Sequence, residues 1–190
     1  MLNQISQTYK FFQNWKINSK IVFESDWFKL LKNNSFYTVD YNEKQVAVLP
    51  VMHGNLIIMA KVKRSILGES TWELPAGGIK EKEKLREGAL RELKEETGIS
   101  ISNTSRLKDE LSIVVCPNRL PMFPTIFSLE ISKEEYDHRV SHDEEVDCIS
   151  CFSLSEIATM IKNGEIFTSL TISILSRYLL SKNNFSFKQN

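Results

Sequence analysis

A chain of 190 residues, 42% hydrophobic and 25% charged, has the make-up of a single globular domain with room for a substantial core. Its 24 basic residues equal its 24 acidic ones, a balance that argues against an RNA- or DNA-binding surface, which carries a basic excess. No apolar run reaches the length of a membrane span, and the N-terminus lacks the basic-then-apolar order of a signal peptide, so the cytoplasm is the expected location.

The chain shows no repeat, no low-complexity stretch and no internal linker. Residues 1–20 read as an N-terminal arm carrying Tyr9, Phe11, Phe12 and Trp15. Strands are expected at 20–24, 27–31, 36–40, 45–52 and 56–63, where short apolar or alternating runs recur. The arm and the first three strands form a region 1–43, with more aromatic side chains than one small sheet face needs. His53-Gly54-Asn55 supplies a turn between the next two. A helix follows over 83–97, then strands at 111–115, 123–130 and 146–152. Three prolines within Cys116–Pro124 make that stretch a stiffened loop, since it can be neither helix nor central strand. Ser153-Leu154-Ser155-Glu156 is a capping box that opens a helix to Asn163, stopped at Gly164. A last helix starts at Thr168 or Ser169 and runs through Leu180, burying Ile174, Leu175, Tyr178 and Leu179. The main region is thus 44–182, followed by a polar tail, 183–190. Cys116, Cys148 and Cys151 have no framework spacing, and Cys148 and Cys151 would face opposite sides of a strand.

The helix over 83–97 carries the chemistry. Gly77 is followed by Glu83, then Arg91-Glu92-Leu93, Glu95-Glu96 and Gly98-Ile99. Leu85, Ala89 and Leu93 form one apolar stripe, widened by Leu90. Glu92 and Glu96 project together one turn apart, at the edge of that stripe. Two carboxylates so placed repel, and partial burial increases the repulsion, so a cation is expected between them. Glu95 reaches the same cation from the flank, and Arg91, four residues before it, is placed to pair with it. A hard divalent ion, Mg²⁺ first and Mn²⁺ as its substitute, suits an oxygen-only donor set that also binds phosphates. Such an ion neutralises a diphosphate, polarises phosphorus and acidifies a bound water.

The pattern resembles the Nudix box, the mark of hydrolases that cut a diphosphate linked to another moiety. The run Trp72-Glu73-Leu74-Pro75-Ala76-Gly77 is similar to that of the ADP-ribose pyrophosphatase branch. The resemblance implies an α/β fold: an α/β/α sandwich around a mixed sheet, with an N-terminal strand extension that builds a homodimer. It implies Glu92 and Glu96 as principal metal ligands, Glu95 and Glu83 as auxiliary ones, and the Ala76 carbonyl in the metal shell. Arg91 orients the acids. The acidic loop Ser141–Asp147 supplies the base that activates water, Glu144 or Glu145. Trp72, Arg64, Pro117 and Arg119 are the candidate substrate contacts. Arg64 either touches substrate or pairs with surface acids, and Arg119 either grips a phosphate or sugar or caps its loop. The loop at 116–124 departs from the branch, with Asn118 where it has glycine and no acid from Ser112 to Leu129, which puts the sugar in doubt. The expected substrate is a small nucleotide, a nucleoside diphosphate sugar with ADP-ribose first, cut to AMP and ribose 5-phosphate. Alternatives are another sugar nucleotide or nucleoside diphosphate derivative, or a non-catalytic nucleotide sensor.

Overall fold

The computed structural model describes residues 2–182, so the expected tail at 183–190 lies outside the described residues. The N-terminal arm is not irregular: it forms helix α1 (Leu2–Ile17). Its half-buried residues, Phe12, Gln13, Trp15 and Lys16, alternate with exposed Phe11, Asn14 and Ile17, the one-sided pattern of a surface helix. Three antiparallel strands follow, β1 (Lys20–Glu24), β2 (Phe28–Asn33) and β3 (Phe36–Tyr41), in a sheet of their own. Lys16 closes α1 onto this sheet through Asp40 at 2.5 Å.

The main sheet is mixed. It contains β4 (Gln45–Met52), β5 (Leu56–Arg64), β6 (Glu69–Glu73), β7 (Ala76–Gly78), β8 (Lys108–Asp109), β9 (Thr125–Ile131) and β10 (Val146–Ser153). β4 runs parallel to β9, and the other pairings are antiparallel. β4 is central and covered on both faces, so Val46 to Met52 are all buried and read as one continuous apolar run. Pro50 is tolerated there because β4 and β5 pair only at Val51 and Met52. The amide of Val48, two residues earlier, points to that same side and bonds the Pro75 carbonyl instead. Pro50 therefore removes no ladder bond.

Helix α2 (Leu85–Thr97) covers one face, packing Ala89, Leu90 and Leu93 on Val46, Val48, Ile58 and Phe127. A short helix, α3 (Lys133–Asp137), follows β9. Helices α4 (Leu154–Asn163) and α5 (Ser169–Lys182) cover the other face, with Ile157, Met160, Ile174 and Leu175 on Ala47, Leu49, Ile57 and Met59. The fold is thus an α/β sandwich around a mixed sheet, with the additional N-terminal sheet.

One expected strand is absent. Residues 111–115 join no strand ladder and make only an isolated bridge, Val115 to Met122. Cys116 turns the chain with φ 47°, and Leu120 and Arg119 donate back to its carbonyl at 2.9 and 3.2 Å. The proline-rich turn folds back on the segment before it reaches a partner strand. Short β6, β7, β8 and α3 were not anticipated, although the capping box of Ser132 and Glu135 that opens α3 stands in the sequence.

Candidate active site

The site is built where β7 lies under α2. Gly77 faces Glu92, and a Cβ there would collide with the Glu92 carboxylate; only glycine lets strand and helix approach so closely. Glu92 is 8% exposed. Glu96, one turn on, accepts from the Ala76 amide at 3.3 Å. Ala76, Glu92 and Glu96 are thereby brought together.

Arg91 binds most of the remaining acids. Its Nη1 donates to Glu92 Oε1 and Glu95 Oε2, each at 2.6 Å. Its Nε and Nη2 donate to the two oxygens of Glu83, each at 2.9 Å, and Nη2 also reaches the Gly78 carbonyl at 2.7 Å. Glu83 stands just before the helix and also accepts from the Lys80 amide at 3.0 Å. Those bonds hold the Glu83 carboxyl below its ordinary value, Arg91 first among them.

Glu92 and Glu96 move the other way. Burial raises Glu92 against the pull of Arg91. Glu96 is pushed up to about 8, first by burial and then by the charge of Glu92, with Arg64 and the Ala76 amide opposing. Among the described residues Glu96 has no cationic hydrogen-bond partner, and no three acidic, histidine or cysteine side chains form a ready-made cation cage. Three carboxylates, Glu83, Glu92 and Glu95, thus share the Arg91 guanidinium, with the Lys80 ammonium at the edge, 3.4 Å from Glu95, and the fourth, Glu96, stands outside that network. This excess of hard oxygen donors fits a divalent cation at Glu92 and Glu96.

Arg64, at the end of β5, forms a two-pronged pair with Glu73, Nε to Oε1 at 2.8 Å and Nη2 to Oε2 at 2.7 Å. Glu73 raises Arg64, and the charges of Glu96 and Glu145 add to the effect. Arg64 is thus paired, but with a buried acid beside the box rather than a surface one. Glu73 was passed over in the sequence, although it stands in the quoted Trp72–Gly77 run; it lies on β6, the strand paired with β5. Lys80 was passed over too.

The acidic loop is tied to both neighbours of the site. Val140 donates to the Gly98 carbonyl at 2.9 Å, Asp143 to the Glu95 carbonyl at 2.8 Å, and Lys63 to the Glu145 carbonyl at 2.7 Å. Gly98, with φ 71°, ends α2 and leaves no room for a side chain against Val140. Glu144 and Glu145 are exposed on this loop.

The remaining candidates lie elsewhere. Trp72 points to the opposite face of the sheet, because neighbours on a strand alternate; it packs edge-on against Phe152 at 4.8 Å. Arg119 caps its loop on β3: its carbonyl accepts from Val39 at 2.8 Å and Thr38 Oγ1 at 2.9 Å, and its Nη1 reaches the Tyr37 carbonyl at 3.3 Å. Pro117 is exposed in the same turn.

A helix that lines up carboxylates beside a glycine-rich strand, with spare oxygen donors for a divalent ion, defines a hydrolase of phosphate anhydrides. The profile of the NUDIX domain matches residues 42–169. The chain is 32% identical over 114 residues to phosphatase NudJ of Escherichia coli (strain K12), covering 59% of this chain and 70% of that protein. The same figures hold for phosphatase NudJ of Shigella flexneri. In fold it is similar to the crystal structure of an ADP compounds hydrolase, with a TM-score of 0.60 at 18% identity over 87% of this chain and 93% of the other. The chain belongs to the Nudix family and is a Nudix hydrolase, an enzyme class that works with divalent metal ions.

Proposed function

We propose that the chain hydrolyses the diphosphate bond of a nucleoside diphosphate sugar, ADP-ribose first among them, to AMP and ribose 5-phosphate. The observation that carries this reading is the pair Glu92 and Glu96, drawn from solvent against Gly77 and Ala76, with no cationic side chain bonded to Glu96 among the described residues. Glu92, Glu96 and the Ala76 carbonyl would hold Mg²⁺ or Mn²⁺, with Glu95 and Glu83 as support. The bound ion neutralises the diphosphate and acidifies water. Arg91 orients Glu83, Glu92 and Glu95. Glu144 or Glu145, on the tethered loop, takes the proton of the attacking water, and Arg64, fixed by Glu73, faces the phosphates. The fold likeness to an ADP compounds hydrolase supports the substrate class.

The test is Mg²⁺-dependent turnover of ADP-ribose, ADP-glucose, GDP-mannose, a dinucleoside polyphosphate, NADH and a nucleoside triphosphate. ADP-ribose should be preferred, and Glu96→Gln should cut its turnover on the order of a hundredfold or more while circular dichroism stays unchanged. Full activity in Glu96→Gln would remove the metal assignment. A second reading comes from the NudJ likeness: these relatives are phosphatases by name. Release of inorganic phosphate rather than a nucleoside monophosphate would select it.

A further inference from the structure

A cleft of about 700 Å³ lies between α1, the end of β3 and the loop before β9. Its volume is within the range of small-molecule sites, roughly 300–1,000 Å³. One wall is aromatic: Phe123 meets Tyr9 edge-on at 5.2 Å and stacks on Phe12 at 5.5 Å. Gln13, Gln45, Ser112 and Thr125 place uncharged hydrogen-bonding groups around it. Its charges are Asp40, Glu43 and Glu110 against Lys16 and Lys44, and Lys16 is already bound to Asp40. A cleft with that balance disfavours phosphate and suits a neutral, flat, hydrogen-bonding ring.

The cleft reaches the start of α2 and, through Glu43, the Gly78 end of β7. Leu85, the first residue of α2, lines it. Glu43 packs on Gly78 so closely that a Cβ there would strike its carboxylate. The carbonyl of that same Gly78 receives Arg91 at 2.7 Å. A molecule whose diphosphate lies over the box acids can extend along Gly78 into the cleft with its uncharged end.

We infer that this cleft is the subsite for the nucleoside of the substrate, with Tyr9, Phe12 and Phe123 as the apolar wall for the base. Gln13, Gln45 and Glu110 hydrogen-bond the base or its ribose. The inference rests on the reading of the substrate as a nucleoside diphosphate derivative, and it gives α1 a role in recognition.

The test separates the two claims by measuring binding without turnover. Adenosine, guanosine, cytidine and uridine are titrated by ligand-observed NMR into full-length Glu96→Gln protein without metal. The comparison is the same protein carrying Gln13→Trp, which fills the cleft from the α1 side, away from the acids. At least one nucleoside should bind, and Gln13→Trp should abolish it. In the otherwise native enzyme Gln13→Trp should raise the KM for the preferred sugar nucleotide about tenfold or more, with kcat little changed. If Gln13→Trp does not fold, Tyr9→Ala, at an exposed ring, is read in the same way. Binding of no nucleoside, or binding indifferent to the variant, overturns the inference. Nucleoside binding that Gln13→Trp abolishes, in an enzyme that turns over no nucleoside diphosphate derivative, removes the proposed function and overturns the substrate subsite, leaving the cleft as a nucleoside-binding site alone.

Discussion

Arg91 shows how one side chain sets the register of several others. Its planar fork reaches Glu83, Glu92, Glu95 and the Gly78 carbonyl at once, which a lysine ammonium on a flexible stem cannot reproduce. The pairing with Glu95 was legible from the four-residue spacing. The pairing with Glu83 was not, because it depends on a turn at 80–83 that no periodicity announces. Away from the site, Glu135 is the residue with the clearest pH consequence. Arg106, with help from Ser132, holds its carboxyl down at about 2 against an ordinary 4.5. A depressed carboxylate contributes stability that is present above its unfolded value and lost as pH falls through its folded one. The contribution of Glu135 should therefore be full above about pH 4.5 and fade towards pH 2. Urea midpoints of native and Glu135→Gln proteins should differ at neutral pH and converge near pH 2. A constant gap across that range would show that the pair contributes nothing through charge.

Among the elements, α2 answers a question its sequence poses. Gly88 sits mid-helix, where glycine costs about 1 kcal/mol against alanine, and propensity alone recommends replacing it. The structure gives the reason for glycine: a Cβ there would strike Ile79 Cδ1 and lie 2.9 Å from Glu83 Oε2. Overpacking of that kind costs about 1–3 kcal/mol, which offsets the gain in propensity. Gly88→Ala should therefore lower the urea midpoint, and it should weaken turnover too, because Glu83 must move. A stabilised, fully active Gly88→Ala would mean that Ile79 can step aside at no cost. The long strands and the α4 caps were readable because burial and capping are local properties. The failure at 111–115 and at α1 has a different source. A strand needs a partner, and Cys116 turns the chain away before one is reached. The aromatic residues of the arm concealed a helical stripe whose inner face packs on Phe123, far along the chain.

At the scale of the whole molecule, the N-terminal sheet leaves an open surface. Phe23, Trp27 and Phe36 are 53%, 72% and 61% exposed, and every residue of β1 is exposed. Large apolar side chains gathered on one small sheet mark an interaction surface, and we propose that a second copy of the chain covers it. Sedimentation should then show a species of twice the 22.0 kDa chain mass, shifted towards monomer by Trp27→Lys. A native protein that sediments only as the single chain would remove this. No helix among the described residues is long and apolar enough to cross a membrane. The box was visible in the sequence, whereas the division of site candidates was not. Arg64 shares a sheet face with the box and Trp72 does not, and that difference is decided by strand register rather than by distance along the chain.

The tethering of the acidic loop gives it an uneven deuterium record. Val140 and Asp143 hand their amide protons to the end of α2, and Lys63 hands its own to Glu145, so these three should exchange as slowly as the helix itself. Glu144 and Glu145 have amides with no partner among the described backbone bonds and should label within the first time point. Two fast sites framed by slow ones would describe a segment fixed at its ends and free at its tip. A loop of that kind lets a carboxylate approach and leave a water while its anchor stays in place. Uniformly fast exchange from Val140 to Val146 would describe a loop that only settles once substrate arrives.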